Sequence, residues 1–106
     1  MLKIVLHLDK SEKWLTLSTN VKNVESSPVE TDVYVVVNGL AVRTFLQADV
    51  RRFIQQHPQV HFEACKNALD AHHVSVADLI PEIKVVPNGV IEIAQLEAKG
   101  FGYIKP

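Results

Sequence analysis

Short runs rich in valine, isoleucine and leucine alternate along this chain with stretches whose apolar residues recur at helical spacing, from one end to the other. Strict alternation of this kind admits few architectures. Strand, helix and strand in succession read as a parallel crossover unit, and a series of such units builds a three-layer α/β/α sheet with right-handed connections. The pattern predicts a mostly parallel five-stranded sheet in a single domain spanning 1–106.

Leu2 to Leu8 is apolar apart from Lys3 and His7, as expected of a strand buried on both faces. Asp9 with Glu12 three positions later has the form of a capping box, which predicts a first helix through Trp14, Leu17, Val21 and Val24, closing near Ser26, Ser27 and Pro28. A second strand runs from Thr31 through the β-branched stretch to Val37 and stops at Asn38 and Gly39. Apolar residues from Leu40 to His57 keep helical spacing, and Asp49 inside them suggests a broken or bent helix with an internal cap. Val60 to Ala64 alternates apolar with polar residues before Cys65, the pattern of a third strand nearer an edge. A short helix over Lys66 to Ala71, a joint at His72 and His73, and a turn opened by Ser75 and Asp78 lead to Pro81. Ile83 to Val86 is the fourth strand, halted by Pro87, Asn88 and Gly89. A helix through Val90, Ile93, Ala94 and Leu96 then closes at Gly100, and Phe101 to Ile104 is the last strand.

At 106 residues, 47% of them hydrophobic and 22% charged, the chain has the composition of a folded globular domain. A net charge of -1 with scattered lysines and arginines offers no footprint for a nucleic-acid backbone or an anionic membrane. The apolar start ends at Asp9 and Lys10, too short for a signal peptide or a membrane span, so a cytoplasmic location is expected. One cysteine rules out an intrachain disulfide.

In open parallel sheets, ligands gather beyond the carboxyl ends of the strands. Those ends carry His7 and Asp9, then Asn38 and Gly39, then Cys65, Lys66 and Asn67, then Asn88 and Gly89. Cys65 follows a strand and opens a helix, where unpaired amides and the helix dipole favour thiolate and should bring the thiol below its usual value of about 8.5, with Lys66 adding positive potential. Position alone leaves two readings open, a reactive thiol and a small buried hydrophobe. His7, Asn38 and Cys65 end neighbouring strands and are expected to face one crevice. His7, His57, His61, His72 and His73 show no zinc-ligand spacing, and no metal is expected. Glycines at 39, 89, 100 and 102 lie too far apart to cradle a pyrophosphate, and no Gly-x-Ser-x-Gly turn exposes a serine.

Val60-His-Phe-Glu-Ala-Cys65-Lys-Asn-Ala-Leu69, Val85-Val-Pro-Asn-Gly-Val90 and Gly100-Phe-Gly-Tyr-Ile-Lys-Pro106 resemble, in order and spacing, the DsrE/DsrF-like family. Ile4-Val-Leu-His-Leu-Asp9 with Trp14, and Val35-Val-Val-Asn-Gly39, fit the same pattern, so the resemblance covers essentially the whole chain. It implies a DsrEFH-like three-layer fold, homo-oligomers, and a place in sulfur oxidation or sulfur relay. In carriers of that family, a cysteine at the end of the third strand takes sulfane sulfur as a persulfide and hands it on, without a cofactor, between donor and acceptor proteins. Cys65 occupies the matching position, although the chain has no second cysteine to resolve a disulfide. The alternative is a non-catalytic module of the same fold that binds a small ligand or anion, or a structural subunit. A homotrimer is expected first and a dimer or hexamer next, on the resemblance and on the apolar surface offered by Val42, Phe45, Leu46, Phe53, Ile54, Phe101 and Tyr103.

Overall fold

The structure, a computed structural model, describes all of residues 1–106. Its strands are β1 (Leu2–Leu8), β2 (Thr31–Val37), β3 (His61–Cys65), β4 (Ile83–Val86) and β5 (Gly102–Ile104). Its helices are α1 (Trp14–Glu25), α2 (Ala48–Gln56), α3 (Lys66–Ala71) and α4 (Gly89–Ala98). Short 3-10 segments occupy Ser11–Lys13, Gly39–Leu46 and Val76–Asp78.

The five strands form one sheet in the order β4-β3-β2-β1-β5, and every neighbouring pair is parallel. β3 is therefore flanked on both sides, with β4 as the edge beyond it. Of the two polar residues whose alternation suggested an edge, His61 is exposed and Glu63 is buried inside the sheet. No helix is long and apolar enough to cross a membrane.

Alternation of side chains sorts the strands' residues onto two faces. Leu6, Leu8, Val35, Val37, Phe62 and Ala64 face the larger core, where they pack with Leu17 and Val21 of α1, Phe45, Ile54 of α2 and Leu69 of α3. On the opposite face Val5 and Val36 meet Ile93, Leu96 and Phe101, so α4 alone covers that side. Three connections on one face and one on the other follow from the strand order. The chain steps from β1 to β4 in one direction, and α4 then carries it back across the whole sheet to β5 beside β1.

Three local expectations are corrected. Asp9 does not cap the first helix: both its carboxylate oxygens accept from Lys105 Nζ at 2.9 and 3.0 Å, a charged pairing stronger than an amide cap. No side chain caps the start of α1 or the 3-10 turn before it. The stretch from Leu40 to His57 is broken, as one of its two readings had it, at Gln47, whose backbone is extended (φ -81, ψ 137), but Asp49 lies in the first turn of α2 without capping it. Finally, Val42, Phe45, Ile54 and Phe101 are buried within the single chain, and Leu46 and Phe53 pack against its core. Of the expected set Tyr103 is exposed, and the other apolar groups left exposed include Leu40, Val90, Ile91 and Ile104.

Candidate functional site

Because paired residues of parallel strands share a face, the register aligns a row His7, Val36, Glu63 and Lys84 across the α4 side of the sheet. One step toward the carboxyl ends lie Cys65 with its partner Val86, and Asn38 follows Val37 at the end of β2. The sheet thus brings His7, Asn38 and Cys65 to one end and one face.

α4 begins directly over this end. Asn88 Oδ1 caps it, accepting from the amides of Val90 at 3.0 Å and Ile91 at 3.2 Å. Its first residue, Gly89, is buried and wedged among the strand ends. A Cβ there would stand 3.1 Å from the Cβ of Cys65, 3.3 Å from that of Asn38 and 3.5 Å from Val36 Cγ1. Gly89 is the place where α4, β2 and β3 converge, and lack of a side chain permits the approach. Gly39 serves another purpose: its φ of +57 is left-handed, and a Cβ would press on the Asp9 carbonyl at 3.2 Å. It turns the chain beside the end of β1, where the Asn38 amide donates to Leu8 O at 3.0 Å.

His7 is held from both sides. Its Nε2 lies 2.8 Å from Asn38 Oδ1 and its Nδ1 lies 2.7 Å from the Tyr103 hydroxyl. An amide oxygen only accepts, so Nε2 carries the proton of a neutral ring and donates to Asn38, while Nδ1 accepts from Tyr103. β1, β2 and β5 are tied together at their carboxyl ends by this chain.

Cys65 is the one cysteine, unpaired and 6% exposed. It belongs to the rim of the larger core, sits at the N-terminus of α3, and lies under Gly89. Lys66 does not lend it a free charge, because the ammonium is paired with Asp70 one turn along α3. Asn67 is exposed in the first turn of α3, apart from the His7 and Gly89 contacts. No group of three or more His, Cys, Asp or Glu side chains is placed to hold a metal ion.

Sequence reasoning missed Tyr103, Glu63 and Glu92. Glu63 lies two residues before Cys65 on the same face of β3 and is 1% exposed. Burial, then a hydrogen bond and repulsion from Glu92 of α4, push its carboxyl up to about 8, against weaker opposing pulls from Lys84 and Lys99.

No protein-family model and no curated protein matches this chain. Among solved structures it is similar to a protein of unknown function, MTH1491 from Methanobacterium thermoautotrophicum, at 28% identity and a TM-score of 0.87 over 100% of both chains. It also superposes on the ychN protein from E. coli, at 17% identity and a TM-score of 0.81, again over 100% of both chains. The chain therefore has the three-layer α/β/α fold of these two proteins, and that shared fold supports the resemblance to the DsrE/DsrF-like family read in its sequence.

Proposed function

We propose that the protein is a small sulfur-relay protein that carries sulfane sulfur as a persulfide on Cys65. The observation that carries this reading is the position of the cysteine. It ends β3, opens α3 and lies beneath the first residue of α4, where strand ends and helix starts converge. Amide groups at helix starts stabilise an anionic sulfur, and a persulfide is anionic.

In the transfer, the Cys65 thiolate attacks the outer sulfur of a donor persulfide. A sulfur–sulfur bond forms on Cys65 as the donor's bond breaks, and the donor leaves as a thiolate. An acceptor thiolate then attacks the outer sulfur and expels the Cys65 thiolate. Neither step needs an outside oxidant or reductant, or a resolving cysteine. Donor and acceptor are other proteins, and the chain works as a homo-oligomer, with a trimer favoured. Val90 at 64%, Ile91 at 52%, Tyr103 at 40% and Ile104 at 46% exposure supply the apolar surface that assembly would cover.

A second reading, a module that binds a small ligand, is favoured by one feature. A groove of about 270 Å³ lined by His7, Val90, Ile93, Ala94, Glu97 and Tyr103 lies between α4 and the paired strands β1 and β5, where the strand order reverses. Incubation with inorganic polysulfide followed by intact-mass and peptide mass spectrometry separates the two. A gain of one sulfur on Cys65, absent in Cys65→Ser, supports the carrier. An unmodified thiol leaves the binding module.

A further inference from the structure

We propose that Glu63 and Glu92 share a single proton that seats the first turn of α4 over Cys65, and that loss of this proton lifts the turn and uncovers the thiol.

Two approaches one helical turn apart join α4 to β3. Gly89 lies on Cys65, and Glu92, three residues along the same helix face, comes over Glu63, two residues back along the same strand face, where its carboxyl acts on that of Glu63. The buried Glu63 Oε1 meets no donor from any other group. A carboxyl–carboxyl contact holds only if one partner is protonated, and that proton is the donor otherwise missing. Two carboxylates in its place would repel at close range within a poorly solvated site.

The surrounding groups set the balance. Lys84, the register partner of Glu63 on β4, and Lys99 beyond α4 favour ionisation. Burial and Glu92 oppose it and prevail, keeping Glu63 protonated until about pH 8. Tyr34 on β2 reports the same pocket, since burial first, and then Asp32, Glu63 and Glu92, raise its hydroxyl above the ordinary value.

Glu63 and Glu92 thus act as positioning residues. The functional consequence rests on Cys65 being the working group of the relay, whereas the movement of α4 does not.

Amide hydrogen exchange as a function of pH tests the movement without any sulfur chemistry. Protection factors at Glu92 and Ile93, relative to the central-strand amides of Val5 and Val35, are expected to fall about tenfold in the wild type between about pH 6 and about pH 9. They should stay level in Glu92→Gln, where the amide donates whatever the pH, and in the nearly isosteric Glu63→Gln. A level wild-type profile, or the same fall in Glu92→Gln, overturns the proposal.

A neutral alkylating reagent tests the uncovering. The ratio of wild-type to Glu92→Gln labelling rates at Cys65 is expected to rise above about pH 8, because ionisation of the thiol is common to both proteins. A constant ratio refutes the opening. Failure of Cys65 to accept sulfur, with the exchange result intact, refutes the relay and leaves the clamp.

Discussion

Gly89 lies so close to Cys65 that a Cβ on the glycine would stand 3.1 Å from the Cβ of the cysteine. The nearest atoms are the β-carbons of Cys65 and Asn38, fixed to strand ends rather than the tips of flexible side chains. A helix ordinarily gains from Gly→Ala, by about 1 kcal/mol. Here overpacking should win, and Gly89→Ala is expected to destabilise the protein by about 1–3 kcal/mol and to speed labelling of Cys65. Gly102→Ala is the control: its nearest neighbour, Lys3 O, is at 3.7 Å, an ordinary contact. Chemical denaturation of both variants checks the contrast, and equal stability losses would contradict it.

Removing the Tyr103 hydroxyl leaves His7 Nδ1 without the donor it meets at 2.7 Å, while the contact from Nε2 to Asn38 survives. Nitrogen chemical shifts in the wild type are expected to report the neutral Nε2–H tautomer. In Tyr103→Phe the Nδ1 resonance should move, with a stability loss of no more than about 1 kcal/mol because the site is partly exposed. An Nδ1–H tautomer in the wild type would sink this assignment.

The fold was legible because each of its strands is a separate β-rich run punctuated by turn residues, and β1, the end of β2 at Val37, α3 and β4 lie where the pattern places them. The gathering of His7, Asn38 and Cys65 at one end was also legible, since a parallel sheet puts all carboxyl ends together. What local sequence does not encode is competition from distant partners. Asp9 has the spacing of a cap, yet Lys105, 96 residues away, takes it. Lys66 adjoins Cys65 in sequence, but Asp70 holds its charge. Glu63 reads as the solvent-facing residue of an alternating strand, and only the path of α4 back across the sheet buries it.

The Asp9 and Lys105 pair fastens the C-terminal segment to the end of β1. Its hydrogen bond from Lys105 holds the Asp9 carboxyl below the ordinary value of 3.8. Because the folded value is the lower one, the pair's contribution is present above about pH 4 and is lost as pH falls through the folded midpoint. A carbon-detected titration should show the Asp9 midpoint depressed in the wild type and returned to the ordinary range in Lys105→Gln. The same midpoint in both proteins would show that the pair does not form in solution.

Glu63 gives the opposite sign. The folded protein holds its proton up to about pH 8, while the unfolded chain releases it near the ordinary value of 4.5. Between those values the folded state binds more protons than the unfolded state, so stability falls as pH rises, by at most about 1.4 kcal/mol per pH unit. Below the window both states are protonated and above it both are ionised, so the slope vanishes at each end. Glu63→Gln keeps the shape of the side chain and has no proton to lose. Urea midpoints measured at about pH 5, 6.5 and 8 are therefore expected to decline in the wild type more steeply than in the variant, with similar m-values in both. The variant should be the more stable protein at the alkaline end, because a neutral amide there replaces a carboxylate that is buried against Glu92. Parallel declines would mean that Glu63 is already ionised in the folded protein at neutral pH, and that α4 is held to the sheet by Gly89 and its apolar face alone.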